Sequence, residues 1–316
     1  MLRRLLLKLA NSTPLTRTAL KGVMAIYCRR FGTKVTFEKE VVSIRKGERV
    51  ILINAKLFIY AEALSRMFDV FFSAVRPAEC GGLQVVDYSK PQLHTLANGL
   101  QFEFSSFPEE IEATEGYVRQ YKPKAGDVVY DLGAHCGLSA FHFSKMVGST
   151  GRVVCFEPDP ANLELLKRNV ARHHLENVTI VPSAVGGSEG TAWFSAEGTI
   201  SSGIASYINR APAGKLIEVP MTKLGTAFHR YGVPNFCKMD IEGAEIDVLK
   251  GACAELSDKN INFAIDTAHV VEGNNTASRL EEIFRSIGYE AETEGGKFFI
   301  TTYARPVVED PAAHAQ

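Results

Sequence analysis

One short stretch constrains this chain more than any other: Val128-Val129-Tyr130-Asp131-Leu132-Gly133-Ala134-His135-Cys136-Gly137-Leu138-Ser139-Ala140. An apolar run of strand type leads into two glycines four residues apart, and Phe141 to Met146 continues with a helical pattern. The expected unit is strand, tight turn and helix. Glycine at such a turn lets a ligand approach the backbone, and the unpaired amides of a helix N-terminus favour an anionic group. Arg152 to Phe156 reads as a second buried strand and ends on Glu157, 20 residues after Gly137. That is the spacing at which a Rossmann-type site places an acid on ribose hydroxyls.

The turn is not the G-x-G-x-x-G of a dinucleotide site. It reads Asp-x-Gly-Ala-His-x-Gly, with Asp131 at the strand end two residues before the first glycine. A carboxylate there repels a pyrophosphate and suits a ligand carrying an ammonium group. S-adenosylmethionine has both an amino-acid end and an adenosine.

Three blocks carry a resemblance: Asp131 to Gly137, then Phe156-Glu157-Pro158-Asp159-Pro160-Ala161-Asn162, then Lys238-Met239-Asp240-Ile241-Glu242-Gly243-Ala244-Glu245. Through them the chain resembles the FkbM family of S-adenosylmethionine-dependent methyltransferases over roughly residues 114–303, the third block being the most specific. The family usually has Asn where this chain has His135. The resemblance implies a class I methyltransferase fold and O-methylation of a hydroxyl on a sugar, a glycan or a secondary metabolite. It also implies a cofactor site at Asp131, Gly133, Ala134, His135, Gly137, Leu138, Glu157, Pro158 and Ser183.

Composition narrows the class. The chain has 316 residues, 46% of them hydrophobic, enough for one large α/β core and a smaller accessory region. Its net charge of −1 gives no pull towards nucleic acid. The charge is uneven, since Met1 to Phe37 holds Arg3, Arg4, Lys8, Arg17, Lys21, Arg29, Arg30 and Lys34 and no acid. Leu2, Leu5, Leu6 and Leu9 share one helical face, and a second basic, apolar segment runs from Leu15 to Phe31. Residues 1–31 therefore suit peripheral contact with an anionic membrane surface, against the alternative of a basic helix packed on the protein's own surface. No stretch reaches the roughly 20 apolar residues that span a bilayer. Cys28, Cys80, Cys136, Cys155, Cys237 and Cys253 form no close CxxC pair, which points to free thiols and a cytoplasmic location, with the inner face of the membrane as the place of contact.

The chain divides into a basic amphipathic segment (1–37), an accessory α+β region (38–113), a methyltransferase domain (114–303) and a flexible tail (304–316). In the accessory region Val35 to Phe37, Val41 to Ile44 and Val50 to Ile53 read as strands, Leu57 to Val75 as one helix and 77–82 as a loop. In the third part strand and helix units repeat, which indicates a Rossmann-like, doubly wound and mainly parallel sheet. Its strands end at Asp131, Glu157, Ser183, Asp240 and Asp266, and residues 198–203 form a glycine- and serine-rich loop placed to close over substrate.

Ligands of such sheets collect at the carboxyl ends of the strands. Glu157 is assigned to the ribose, against a helix-cap reading, and Asp131 to the methionine ammonium, directly or through water, with Gly133 and Gly137 making room. Glu115 and Tyr117 lie on a helix before the central strand, which either covers the cofactor or presents a solvated face. Methyl transfer to oxygen needs a positioned nucleophile and a base. Asp240 is the best-placed acid. Lys238 either orients the hydroxyl or pairs with Asp240, Glu242 is either catalytic or a helix cap, and His269 joins them from the neighbouring strand end. Asp240, Asp266 and His269 also form a candidate set for Mg²⁺ or Mn²⁺, although the family commonly has Glu near position 266. The rival readings are a nicotinamide-dependent oxidoreductase and a catalytically silent scaffold that binds a glycan or a protein.

Overall fold

The computed structural model describes residues 14–108, 111–208, 214–271, 273–295 and 300–307. In chain order the first part contains α1 (Pro14–Cys28), β1 (Lys34–Phe37), β2 (Val41–Lys46), β3 (Arg49–Asn54), α2 (Ala61–Arg66), α3 (Phe68–Ser73), β4 (Ala78–Cys80), β5 (Leu83–Tyr88), β6 (Gln92–Thr95) and β7 (Gln101–Phe104). Five of these strands form one sheet in the order β1-β2-β3-β5-β4, and β6 and β7 make a separate hairpin.

The single helix expected over residues 57–75 is instead a 3-10 segment (Ala55–Tyr60) followed by α2 and α3, with a break at Met67, whose φ and ψ are −108° and 30°. Leu57, Phe58, Tyr60, Leu64, Phe68, Phe71 and Phe72 are all buried. A straight helix turns only one stripe to the core, so burying all of them requires the bends. The loop expected at 77–82 contains β4, which pairs with β5.

Leu20, Met24 and Cys28 of α1 belong to one apolar cluster with Val42, Ile44, Ile51, Phe102 and Phe104. With β1 paired to β2, the accessory unit takes in α1, so a boundary at residue 37 divides one sheet. Residues 1–13, where the leucine-rich basic face was expected, lie outside the described residues. The same cluster continues into Cys136, Leu138, Phe141 and Leu165, and the Phe102 ring stacks on His173 at 4.5 Å. The accessory unit is thus packed directly onto the two helices that follow the central strands.

The second part contains α4 (Ile111–Tyr117), β8 (Val128–Leu132), α5 (Leu138–Val147), β9 (Arg152–Phe156), α6 (Pro160–Arg172), β10 (Val178–Val181), β11 (Ala184–Gly186), β12 (Gly190–Ala196), β13 (Gly203–Ile204), β14 (Lys215–Lys223), α7 (Leu224–Tyr231), β15 (Phe236–Met239), α8 (Glu245–Leu256), β16 (Asn262–Asp266), β17 (Val270–Val271), β18 (Asn274–Asn275), α9 (Ala277–Ser286), β19 (Tyr289–Gly295) and β20 (Ile300–Pro306). Its main sheet has the order β10-β9-β8-β15-β16-β20-β19. The first five strands are parallel, while β20 runs antiparallel to both its neighbours. The central strands are buried along nearly their whole length, as expected of parallel strands covered on both faces. The chain leaves β8 on one side towards β9 and returns on the other at β15. That reversal opens a crevice at the strands' carboxyl ends. The strands expected at 191–195 and 215–223 lie in a second sheet, β11-β14-β12-β13. No helix among the described residues is long and apolar enough to cross a membrane.

Candidate active site

The crevice is floored by β8 and β15, where Asp131 and Lys238 are direct cross-strand partners. Both side chains are buried and form an ion pair at 3.2 Å. Lys238 Nζ also donates to the Gly133 carbonyl at 2.8 Å and lies 5.5 Å from the centre of the Tyr117 ring. The second oxygen of Asp131 accepts from Ser139 Oγ at 2.6 Å. Two expectations are corrected here. Lys238 pairs with Asp131 rather than Asp240, and its burial keeps it from a substrate hydroxyl. Asp131 is committed to Lys238 and Ser139, so it braces the turn instead of meeting an ammonium directly.

The glycines of the turn also answer to packing. A Cβ on Gly133 would stand 1.9 Å from the Asp240 carbonyl oxygen, and one on Gly137 2.5 Å from Leu166 of α6. Both have φ near +80 to +90° (79° and 89°), where side chains are strained. Between them His135 also has positive φ, 49°, its ring buried beside Cys136 with Nε2 to Sγ at 3.5 Å. Burial holds this imidazole down to about 4. Ala134 and Leu138 are buried, and Leu138 faces the accessory core. The His135 side chain and Leu138 therefore serve the turn's shape.

Glu157, at the tip of β9, is 4% exposed. Its two oxygens accept from the backbone amides of His135 and Asp159, each at 2.8 Å. These bonds do not offset the loss of water: burial, with the charge of Asp159 behind it, pushes the carboxyl up to about 8. Pro158 follows at the half-buried rim. Ser183, beyond β10, is spent differently from the expected cofactor contact. Its hydroxyl donates to the Ala184 and Pro220 carbonyls and lies 3.0 Å from Thr222 Oγ1, tying the main sheet to β14.

Across the crevice the predicted acids do assemble. Tyr117 of α4 donates its hydroxyl to Asp240 Oδ2 at 3.1 Å, which places that ring over the site, whereas Glu115 is exposed. His269 Nε2 faces Asp240 Oδ1 at 3.6 Å and Glu242 Oε1 at 3.8 Å. Its Nδ1 lies 2.9 Å from Glu245 Oε1. Burial opposes a charge on this imidazole, but Glu245 and Glu242 outweigh it and hold the ring's pKa well above its ordinary value. Asp266 is pushed up to about 6 by burial and the nearby Asp240. Asp240, Asp266 and His269 each offer a ligand atom within 4.8 Å of the others.

Glu242 is not the helix cap. It holds a strained φ of 58°, and the backbone amides of Ile241 and Gly243 are taken by Glu245 Oε1 at 3.3 and 3.2 Å. Glu245 is fully buried and was missed as a site residue. The signal lay in the third block, where an acid three residues after Glu242 falls on the first turn of a helix, its side chain reaching back to the turn before it.

The loop at 198–203 is tied down rather than free to close. Asp159 Oδ2 accepts from Gly198 N and Ser202 Oγ at 2.9 and 2.7 Å, while its other oxygen caps α6 through Ala161 N. Asn162 and Ser106 donate to the Thr199 and Gly198 carbonyls, and Tyr60 donates to Glu197 at 2.6 Å. Beside the acid cluster, Tyr207, Gly243, Asp247, Lys250, Val271 and Arg279 line a cleft of about 610 Å³.

Residues 131–291, just over half of the chain, match the model of the methyltransferase FkbM domain. No curated protein matches. Among solved structures the chain is similar to an FkbM methyltransferase from Methylobacillus flagellatus, at 20% identity and a TM-score of 0.43, over 57% of this chain and 43% of that one. It thus spans less than half of that protein's length. It is also similar to a precorrin-6y C5,15-methyltransferase from Geobacter metallireducens (12% identity, TM-score 0.42, 63% of this chain and 89% of that one). A third similar structure is an S-adenosylmethionine-dependent methyltransferase from Aquifex aeolicus (14% identity, TM-score 0.38, 62% and 89%).

Proposed function

The chain belongs to the FkbM methyltransferase family, and on that premise we propose that it moves a methyl group from S-adenosylmethionine to a hydroxyl of a sugar, a glycan or a secondary metabolite. The strand order and the reversal between β8 and β15 support a Rossmann-like, doubly wound class I fold, with residues 14–108 as its accessory region.

The observation that carries the reading is Glu157. It is a buried carboxyl at a strand tip with one backbone donor on each oxygen, pushed up to about 8 by burial and the neighbouring charge of Asp159. A ribose diol supplies two donors, so the residues fit an adenosine. When bound, S-adenosylmethionine supplies an electrophilic methyl group on a sulfonium. The chain's part is to hold the acceptor hydroxyl in line and take its proton. Asp240, with its side chain 23% exposed, can be reached by a substrate and is kept in place by Tyr117. As the oxygen–carbon bond forms and the carbon–sulfur bond breaks, the hydroxyl proton passes to the Asp240 carboxylate. The His269 ring, beside Asp240 and Glu242, keeps the acids apart and oriented. The cleft beside them, with Lys250 and Arg279 on its wall, has room for a polyhydroxylated acceptor.

The reading includes a cytoplasmic protein that touches the membrane's inner face through residues 1–31. The basic run before residue 37 and the outward-facing Val23 and Ile26 of α1 support it, and a lipid-linked or cell-surface glycan is then the natural acceptor.

Calorimetric titration with S-adenosylmethionine, S-adenosylhomocysteine and NAD, repeated on Glu157→Ala, tests the cofactor assignment. Micromolar binding of the first two that weakens in the variant is expected. A preference for NAD, or no binding of any, would overturn it.

A further inference from the structure

We infer that Asp240, Asp266 and His269 hold a divalent cation of the Mn²⁺ or Mg²⁺ class; what the ion would do there rests on the proposed methyl transfer, whereas its binding does not. Asp240 and Asp266 follow or end the neighbouring parallel strands β15 and β16, and the ligand atoms of the three residues lie within 4.8 Å of one another. An octahedral ion with bonds of about 2.1 Å sets its donors about 3 Å apart when adjacent and about 4.2 Å apart when opposed. His269 Nε2 stands 3.6 Å from Asp240 Oδ1 and 3.8 Å from Glu242 Oε1. These separations are too long for hydrogen bonds and fall in the range of donors sharing one ion.

The imidazole is also set up as a ligand. Glu245 Oε1 takes Nδ1 at 2.9 Å and is itself held by two backbone amides. A carboxylate on the far nitrogen fixes the ring's orientation and aims the other nitrogen at a metal. A separate observation concerns charge. Glu245 is fully buried and its Oε2 has no hydrogen-bond partner among the described residues. Asp240, Glu245 and Asp266 set three carboxylates against the one imidazole of His269, an excess of negative charge. A dication would balance that excess. The two carboxylates suit Mn²⁺ and Mg²⁺ at octahedral spacing, and the imidazole favours Mn²⁺ over Mg²⁺ and Ca²⁺, whose sites are built of oxygen. In the proposed reaction the ion would orient the acceptor hydroxyl and make it more acidic.

The test uses the full-length protein, freed of metals with EDTA and titrated with MnCl₂, with free Mn²⁺ followed by electron paramagnetic resonance and S-adenosylhomocysteine binding measured in parallel. One Mn²⁺ per chain is expected, displaced by excess Mg²⁺. Asp266→Asn and His269→Ala should each weaken binding by about tenfold or more, and Glu245→Gln by about 10- to 100-fold. His269→Ala carries the test should the buried Glu245→Gln fail to fold. No Mn²⁺ binding by protein that binds S-adenosylhomocysteine, or unchanged affinity in Asp266→Asn and His269→Ala, overturns the cation site alone. Loss of both ligands overturns the cation site together with the cofactor reading. Mn²⁺ without S-adenosylhomocysteine upholds the cation site and removes the cofactor reading.

Discussion

Asp131 and Lys238 oppose each other across β8 and β15 in an ion pair at 3.2 Å, both fully buried where the strand order reverses. The pair sits beneath the turn that Gly133 and Gly137 shape, and the lysine also holds the Gly133 carbonyl.

Removing one partner of a buried ion pair leaves the other charge uncompensated. Lys238→Met is therefore expected to lower stability by about 3–5 kcal/mol. The double variant Asp131→Asn/Lys238→Met should recover part of this loss, because it buries no lone charge. Urea unfolding of the two single variants and the double variant reads the coupling. Strict additivity would show that the pair does not act as a unit.

Glu157 sets a pH dependence. A carboxyl raised from about 4.5 to about 8 by burial means that the folded state holds the proton more tightly than the unfolded chain. Its contribution to stability is then fully present below pH 4.5 and is lost as pH rises towards 8. Ribose hydroxyls donate to the ionised form, so binding draws the proton off. Affinity for S-adenosylhomocysteine should rise as pH goes from 6 to 8 and level off above. Calorimetry in buffers of different ionisation enthalpy should detect the released proton, and Glu157→Gln should abolish both effects. A flat pH profile in the parent protein would contradict this account.

Asp240→Asn keeps the size of the side chain and a hydrogen-bond acceptor for Tyr117 while removing the base. Turnover on an accepted hydroxyl substrate should fall by about 10²- to 10⁴-fold, with cofactor affinity and melting temperature close to those of the parent. Loss of cofactor binding along with turnover would make Asp240 a structural rather than a catalytic group.

Deleting residues 1–31 would remove Leu20, Met24 and Cys28 from the accessory core and confuse membrane contact with folding. Deleting residues 1–13 leaves α1 in place. Co-sedimentation with anionic liposomes should decrease for that truncated chain and at raised salt, since screening weakens basic contacts. Equal sedimentation of the full and truncated chains would remove the membrane assignment.

The sequence by itself determined the strand, turn and helix at 128–146, the acid at 157 and the acids at 240 and 266, because burial period and glycine placement are local properties of the chain. The strands that bear them were readable as apolar runs for the same reason. Only the tertiary structure decided which partner each charge takes. The register of β8 against β15 gives Lys238 to Asp131, although Asp240 is far closer in sequence. The fold of the turn after β15 makes Glu245, not Glu242, the carboxylate that holds the amides and His269. The apolar content of residues 57–73 was visible, but the break at Met67 depends on how many directions the accessory core must be filled from. The loop at 198–203 looked free by composition and is held by Asp159, Asn162, Ser106 and Tyr60. Hydrogen bonds and ion pairs between distant segments follow from the positions of strand ends in space, and a one-dimensional pattern does not carry those positions.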